Sequence, residues 1–160
     1  MANLTEGAIA PDFTLPRDGG GTVSLSDFRG QPVVLFFYPK DDTSSCTTES
    51  IDFSGLLGAF SEAGAVVIGM SPDSVKKHDK FAKKYDLSVI LASDEDLAVL
   101  NSYGVWVEKS MYGRKYMGVE RTTLLIGPDG VIRRVWPKVK VAGHAAEVLA
   151  ATQNLATGTV

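Results

Sequence analysis

Residues 33 to 38 read Val-Val-Leu-Phe-Phe-Tyr, a run of β-branched and aromatic side chains with no polar break. A strand with one wet face would alternate apolar and polar positions, so an unbroken run of this length predicts a strand covered on both faces. It is far shorter than the ~20 apolar residues that span a bilayer. Pro39 ends it. Two similar runs follow, Ala65–Met70 and Ser88–Ala92. Between them apolar residues recur at helical spacing: Ile51, Leu56, Leu57 and Phe60 within residues 44–63, then Val75, Phe81, Ala82 and Tyr85. Pro72 is expected in the first turn of the second helix, where its missing N–H costs nothing. Ser93 and Asp96 predict a near capping box for a short helix reaching about Ser102.

Arg121–Ile126 and Val131–Trp136 are strand-like, and Gly127-Pro-Asp-Gly130 between them is a hairpin signal. Gly143–Leu155 predicts a closing amphipathic helix. Near the start, Phe13–Leu15 and Thr22–Leu25 flank Gly19-Gly20-Gly21. These glycines lead into a strand pattern rather than a helix, so they read as a hairpin-like turn and not a phosphate-binding loop. The order predicts an α/β protein of thioredoxin-like fold: a central mixed sheet, helices on both faces and an N-terminal β extension. A doubly wound nucleotide-binding fold would usually lack the late hairpin.

At 160 residues the chain is expected to be one domain, 1–160. The net charge of -3 provides no basic field for nucleic acid or anionic lipid. One cysteine excludes an internal disulfide, and with two histidines it falls short of a Cys/His zinc cluster. Asp41 and Asp42 read as a solvated loop pair rather than metal ligands. The N-terminus lacks the basic start and apolar core of a secretory signal, and a lone thiol suits a reducing compartment, so a cytoplasmic protein is expected. Asn3-Leu4-Thr5 then has the form of a glycosylation sequon by chance alone.

Cys46 falls where the first buried strand has ended and a helix begins. Unpaired backbone N–H groups and the helix dipole there favour an anion, and the thiolate is the nucleophilic form of cysteine. Its neighbours Thr43, Ser44, Ser45, Thr47 and Thr48 are all hydroxylic. That points to a reactive thiol rather than a cysteine packed as a small apolar side chain. His78 is expected to be structural or superficial, and His144 structural. Trp106, Met111, Tyr112, Tyr116 and Met117 are expected to pack in the core, with a pocket wall or a contact surface as the sharper alternative.

The spacing Pro39-x-x-x-Thr43-x-x-Cys46 matches the Pro-x-x-x-Thr-x-x-Cys signature of the peroxiredoxins. Residues 38–49, 109–126 and 136–144 resemble the bacterioferritin-comigratory, or Q-type, subfamily, and the resemblance runs from Pro11 to the last helix. It implies a thiol-dependent peroxidase acting on hydrogen peroxide and organic hydroperoxides. Cys46 would be the peroxidatic cysteine, oxidised to sulfenic acid. Thr43 would hold the peroxide through its hydroxyl, and Arg121 would supply fixed positive charge. Pro39 would shield the sulfur from water. The backbone near Ser45 and Cys46 would complete a peroxide cradle, with Glu49 tied to Arg121 and Trp106 lining the pocket. No bound cofactor is implied.

The chain departs from the pattern in two places. The loop reads Thr43-Ser44-Ser45-Cys46 where relatives commonly have Thr-Pro-Gly-Cys. Ile51 and Ala82 stand where relatives carry a second, resolving cysteine. The sulfenic acid would then be resolved by an external thiol: thioredoxin, glutaredoxin or a low-molecular-weight thiol. Alternatively, a resolving cysteine has been replaced by engineering at Ala82. A monomer or weak homodimer is implied. Two other readings are a thioredoxin-fold thiol oxidoreductase, disfavoured by the missing Cys-x-x-Cys pair, and a non-enzymatic redox-sensing module.

Overall fold

The computed structural model describes residues 4–156, which leaves Asn3 of the sequon-like triplet outside. The uninterrupted run forms β3 (Val33–Phe37) at the centre of a five-stranded sheet, every residue buried. The hairpin β1 (Thr14–Pro16) and β2 (Thr22–Ser24) precedes it. After β3 come α1 (Ser44–Gly55), α2 (Leu57–Glu62), β4 (Val66–Ser71), α3 (Val75–Tyr85), β5 (Ile90–Ser93) and α4 (Ala98–Ser102). A second hairpin follows, β6 (Trp106–Met111) and β7 (Arg114–Val119), then β8 (Thr122–Ile126), β9 (Ile132–Trp136) and α5 (His144–Ala156).

The strand order of the central sheet is β5-β4-β3-β8-β9. β3, β4 and β5 run parallel, while β8 and β9 alternate direction, so the sheet is mixed as expected. Side chains alternate across β3. Val34, Phe36 and Tyr38 pack with Phe53 of α1, Phe60 of α2, Phe81 of α3 and Val148 of α5. Val33, Leu35 and Phe37 face Phe13, Leu15, Val23, Val105 and Leu100 of α4 on the other side. Helices therefore lie on both faces, but four of the five cover one face, and α4 shares the other with the N-terminal extension. That extension also shields the sheet edges: Ile9 bridges Val131 and Arg17 bridges Ala92.

Four local expectations are corrected. The predicted helix over 44–63 is two helices, broken at Leu56 (φ -100°, ψ 4°) between the weak helix formers Gly55 and Gly58. Pro72 precedes α3 rather than entering it, because the N-cap is Ser74, whose hydroxyl accepts from Lys77 N–H. Ser93 belongs to β5 and caps no helix; Asp94 instead accepts the Leu100 N–H at 2.7 Å. The aromatic, sulfur-rich stretch reaches the core only at Trp106, which packs half-buried on the second cluster. It is the β6–β7 hairpin, which leaves Met111, Tyr112, Tyr116 and Met117 exposed. Its two-residue turn puts Tyr112 (φ 52°) and Gly113 (φ 77°) in the left-handed region. A tyrosine stands where asparagine or aspartate usually signals such a turn.

Phe36 is fully buried, stacked on Phe53 with ring centroids 4.6 Å apart and on Tyr38 at 5.7 Å. Its strand partner across β4 is Gly69. A Cβ at that position would lie 2.6 Å from the Phe36 ring, which its stacking partners hold in place. Gly69→Ala is expected to lose about 1–3 kcal/mol from overpacking. Denaturant unfolding checks this; an unchanged midpoint would show that the ring has room to move.

Candidate active site

β3 delivers the chain to the C-terminal end of the sheet, and residues 38–43 turn it into α1. Thr43 is the N-cap, in an extended conformation (φ -96°, ψ 155°). The first helical hydrogen bond is Thr47 N–H to the Thr43 carbonyl at 2.8 Å. The amides of Ser44, Ser45 and Cys46 therefore have no acceptor within the helix and lend the first turn its positive end. Cys46 lies in that turn, free of any disulfide and 1% exposed.

The second half of the site comes from the sheet. β8 pairs antiparallel to β3 with Thr122 opposite Phe37, which sets Arg121 beside the start of the 38–43 loop. The Arg121 carbonyl accepts the Val139 N–H at 2.8 Å, pinning the backbone there. Its guanidinium forks: Nη2 donates to Cys46 Sγ at 3.2 Å and Nη1 donates to Glu49 Oε1 at 2.6 Å. Glu49 lies three residues after Cys46, on the same helix face. Its carboxyl is 1% exposed, and Oε2 is buried without a hydrogen-bond partner. Burial pushes the Glu49 carboxyl up to about 7, against the opposing pull of Arg121.

Cys46, Glu49 and Arg121 are thus brought together. Thr43 and Ser45 flank the same first turn, both exposed, and Pro39 is half-buried just after β3. The Thr43 hydroxyl donates back to the Lys40 carbonyl at 2.9 Å. Trp106 stands apart: it opens β6 and packs on the cluster of the opposite sheet face, whereas Cys46 belongs to the first.

Sequence reasoning passed over Lys109 and misread Asp41, while His144 was expected to be structural. The Lys109 side chain of β6 passes over Gly118 of β7, its Cδ 3.4 Å from where a Cβ would sit. Burial lowers its pKa, as does Arg121, while Glu120 and Cys46 oppose the shift. It could be placed only once the β6–β7 hairpin was known. His144 is buried between the edges of Phe53 and Trp136, with Nε2 2.8 Å from Thr123 Oγ1. Burial pushes it toward the neutral form, with Glu147 opposing and Arg121 assisting. Its structural role stands. Asp41 and Asp42 are not a solvated pair. Asp42 is exposed and held by Lys84 Nζ (2.9 Å) and Tyr85 Oη (2.6 Å), but Asp41 is buried and paired with His78 at 2.6 Å. Its partner is too distant in sequence for any local pattern to reveal.

Residues 7–135 match the model of the AhpC/TSA family. A putative peroxiredoxin bcp from Coxiella burnetii is 54% identical over 92% of this chain and 97% of its own length. Peroxiredoxin Bcp from Bacillus subtilis is 45% identical, covering 93% of this chain and 95% of its own. Among solved structures, the Xanthomonas campestris bacterioferritin comigratory protein, studied for its alkyl peroxide reduction activity, superposes with TM-score 0.86 at 45% identity over 90% of this chain and 92% of its own. A cysteine-to-serine mutant of Xylella fastidiosa PrxQ gives TM-score 0.92 at 39% identity over 98% and 99%. With its one buried cysteine bonded to arginine at a helix start, the chain belongs to the AhpC/TSA family, among the Bcp-type peroxiredoxins, and is a thiol-dependent peroxidase.

Proposed function

We propose that Cys46 is the peroxidatic cysteine, reducing hydrogen peroxide and organic hydroperoxides. The observation that carries this reading is the Arg121 Nη2 contact to Cys46 Sγ at 3.2 Å. A guanidinium stays charged at any working pH, so it favours the thiolate whenever the thiol loses its proton. The thiolate attacks the terminal oxygen of the peroxide. An S–O bond forms, the O–O bond breaks, and the leaving oxygen departs as water or an alcohol after taking one proton. Cys46 is left as the sulfenic acid. Arg121 and the free amides at the start of α1 face the charge that moves from sulfur to the departing oxygen. Thr43 keeps its oxygen lone pairs available while its proton is engaged by Lys40. Pro39 offers no N–H to draw water to the strand end, and Ser45, exposed beside Cys46, contributes its backbone amide to the first turn. Trp106 we place at most at the periphery, since it packs on the other core cluster.

Cycling back requires a second thiol from outside. Ile51 is exposed and Ala82 half-buried at the two positions that resemble resolving-cysteine sites. An incoming thiol condenses with the sulfenic acid, releasing water and leaving a mixed disulfide, and a further thiol then frees Cys46. Thioredoxin, glutaredoxin or a small thiol would each satisfy this stoichiometry, in keeping with a cytoplasmic setting. Among the described residues no helix is long and apolar enough to cross a membrane.

Equimolar hydrogen peroxide should add one oxygen to Cys46, seen by mass, much faster than to free cysteine; Cys46→Ser should gain none. A thiol reacting no faster than free cysteine would end the proposal. Arg121→Ala should slow that oxidation about 100- to 1,000-fold, the scale for losing one charge-stabilising donor. It should stay folded, because Glu49 can take up a proton when its partner goes. An undiminished rate would remove Arg121 from the chemistry.

Glu49 has a consequence for pH. Between the ordinary carboxylate value and about 7, the folded chain holds a proton that the unfolded chain has released, so rising pH costs stability across that window. Glu49→Gln should therefore be more stable than the parent at pH 8, by about 1–3 kcal/mol, with the difference closing toward pH 4–5. Denaturant melts at both pH values test this; a constant difference would mean that Glu49 is ionised throughout.

A further inference from the structure

Behind the active-site loop lies a buried polar cluster that the peroxidase chemistry does not use. His78, on α3, is 0% exposed. Its Nδ1 is 2.6 Å from Asp41 Oδ2 and its Nε2 is 3.0 Å from the Ala92 carbonyl on β5. A carbonyl only accepts, so Nε2 carries a proton. A 2.6 Å approach of two lone pairs would be repulsive, so a proton also lies between Nδ1 and the carboxylate. The second Asp41 oxygen takes the Tyr38 hydroxyl at 2.6 Å, and the Asp41 N–H donates to Asp73 Oδ2 at 2.8 Å. Asp73 is held in turn by the Ser71 hydroxyl at 2.7 Å and, through its carbonyl, by Ser93 at 2.6 Å.

We infer that His78 is a positioning residue for Cys46: as an imidazolium spanning Asp41 and the β5 backbone, it clamps the 38–43 loop from which α1 springs. The inference rests on Cys46 being the reacting thiol. Three side chains of α3 grip this loop, His78 on Asp41 and Lys84 with Tyr85 on Asp42. Asp42 is in the left-handed region (φ 61°), which aspartate visits more readily than most non-glycine residues, and its Lys84 and Tyr85 bonds hold it there. Lys40, beside Asp41, supplies the carbonyl that takes the Thr43 hydroxyl, and Thr43 is the cap that starts the helix. The position of Asp41 therefore decides how the free amides of residues 44–46 and the Cys46 sulfur are presented to Arg121.

The charged and titratable groups facing His78 are Asp41 from the loop after β3, Tyr38 at the end of β3 and Asp73 from the loop after β4; Lys77 of α3 approaches Asp73 at 4.0 Å. Tyr38 is held well above its ordinary range by burial and by Asp41, so it serves as a donor. Burial opposes the His78 charge most strongly, but the hydrogen bond to Asp41, its negative charge, the Ala92 carbonyl and Asp73 together outweigh it and raise the pKa. The clamp is then complete below the ordinary imidazole value and is released as pH rises through the raised one.

The experiment compares the parent with His78→Asn, which can still donate to Asp41, and His78→Leu, which cannot. Cys46 oxidation by hydrogen peroxide is timed by rapid quench and mass from pH 5 to 10, beside thermal unfolding. His78→Leu should be about 10- to 100-fold slower at neutral pH, the scale for misplacing a reacting group. His78→Asn should recover part of that loss. The parent should lose rate on the alkaline side as His78 deprotonates, and both variants should lack that fall. In the parent, ¹⁵N NMR should show both ring nitrogens protonated at pH 7, titrating with the rate. A folded His78→Leu within twofold of the parent would overturn the inference, as would a neutral ring at pH 7. The NMR result decides the matter if His78→Leu does not fold. A parent Cys46 no faster than free cysteine would instead remove the peroxidase assignment itself, and this inference with it.

Discussion

Arg121 carries one positive charge and two claimants. Its guanidinium reaches Cys46 Sγ and Glu49 Oε1 at once, and both acceptors project from the first turns of α1. A planar fork can bond two acceptors in fixed directions, which a lysine ammonium on a flexible stem cannot do with the same accuracy of aim. Glu49 gives up most of its hydration to take part, and its second oxygen gains nothing in return. Burial raises the carboxyl to about 7, so below that pH Glu49 competes less with sulfur for the Arg121 charge.

The rest of the fold can be understood as the apparatus that brings this fork to the thiol. β3 and β8 are neighbours with Phe37 opposite Thr122, and the residue just before Thr122 is Arg121. α1 returns across the sheet face with Phe53 and Phe60 of the following helix buried against Val34 and Phe36. Its direction follows from that packing, and its N-terminus consequently lies at the sheet end where Arg121 emerges. The β6–β7 hairpin adds a second cation, Lys109, to the same electrostatic neighbourhood. On the opposite side α3 holds the loop that sets where α1 begins.

Much of the framework was legible in residues alone. The unbroken Val33–Tyr38 run is central because nothing polar interrupts it, and Gly127-Pro-Asp-Gly130 turns β8 into β9 because its residues suit that geometry. Cys46 was locatable because strand end, hydroxylic loop and helix start are all local signals. Failures came where tertiary contact overrides local pattern. Asp41 looks like a solvated loop acid until His78 arrives from a helix 37 positions away. Ser93 and Asp96 resemble a cap, but the strand pairing with Ser71 claims Ser93 first. The Met and Tyr residues of β6 and β7 look like core by composition, yet the hairpin turns them outward.

By itself the sequence determined a mixed α/β sheet and one thiol at a helix start, since hydrophobic period, turn residues and a single cysteine are properties of short segments. Only the tertiary structure decided what that thiol faces. Arg121 is 75 positions from Cys46 in the chain and 3.2 Å away in space, and His78 is close to the loop for a similar reason. Such contacts are created when strands distant in sequence pair side by side, and their energetics depend on burial that no local pattern reports. The one thiol and its place at a helix start were written in the sequence; the charges around it were assembled by the sheet.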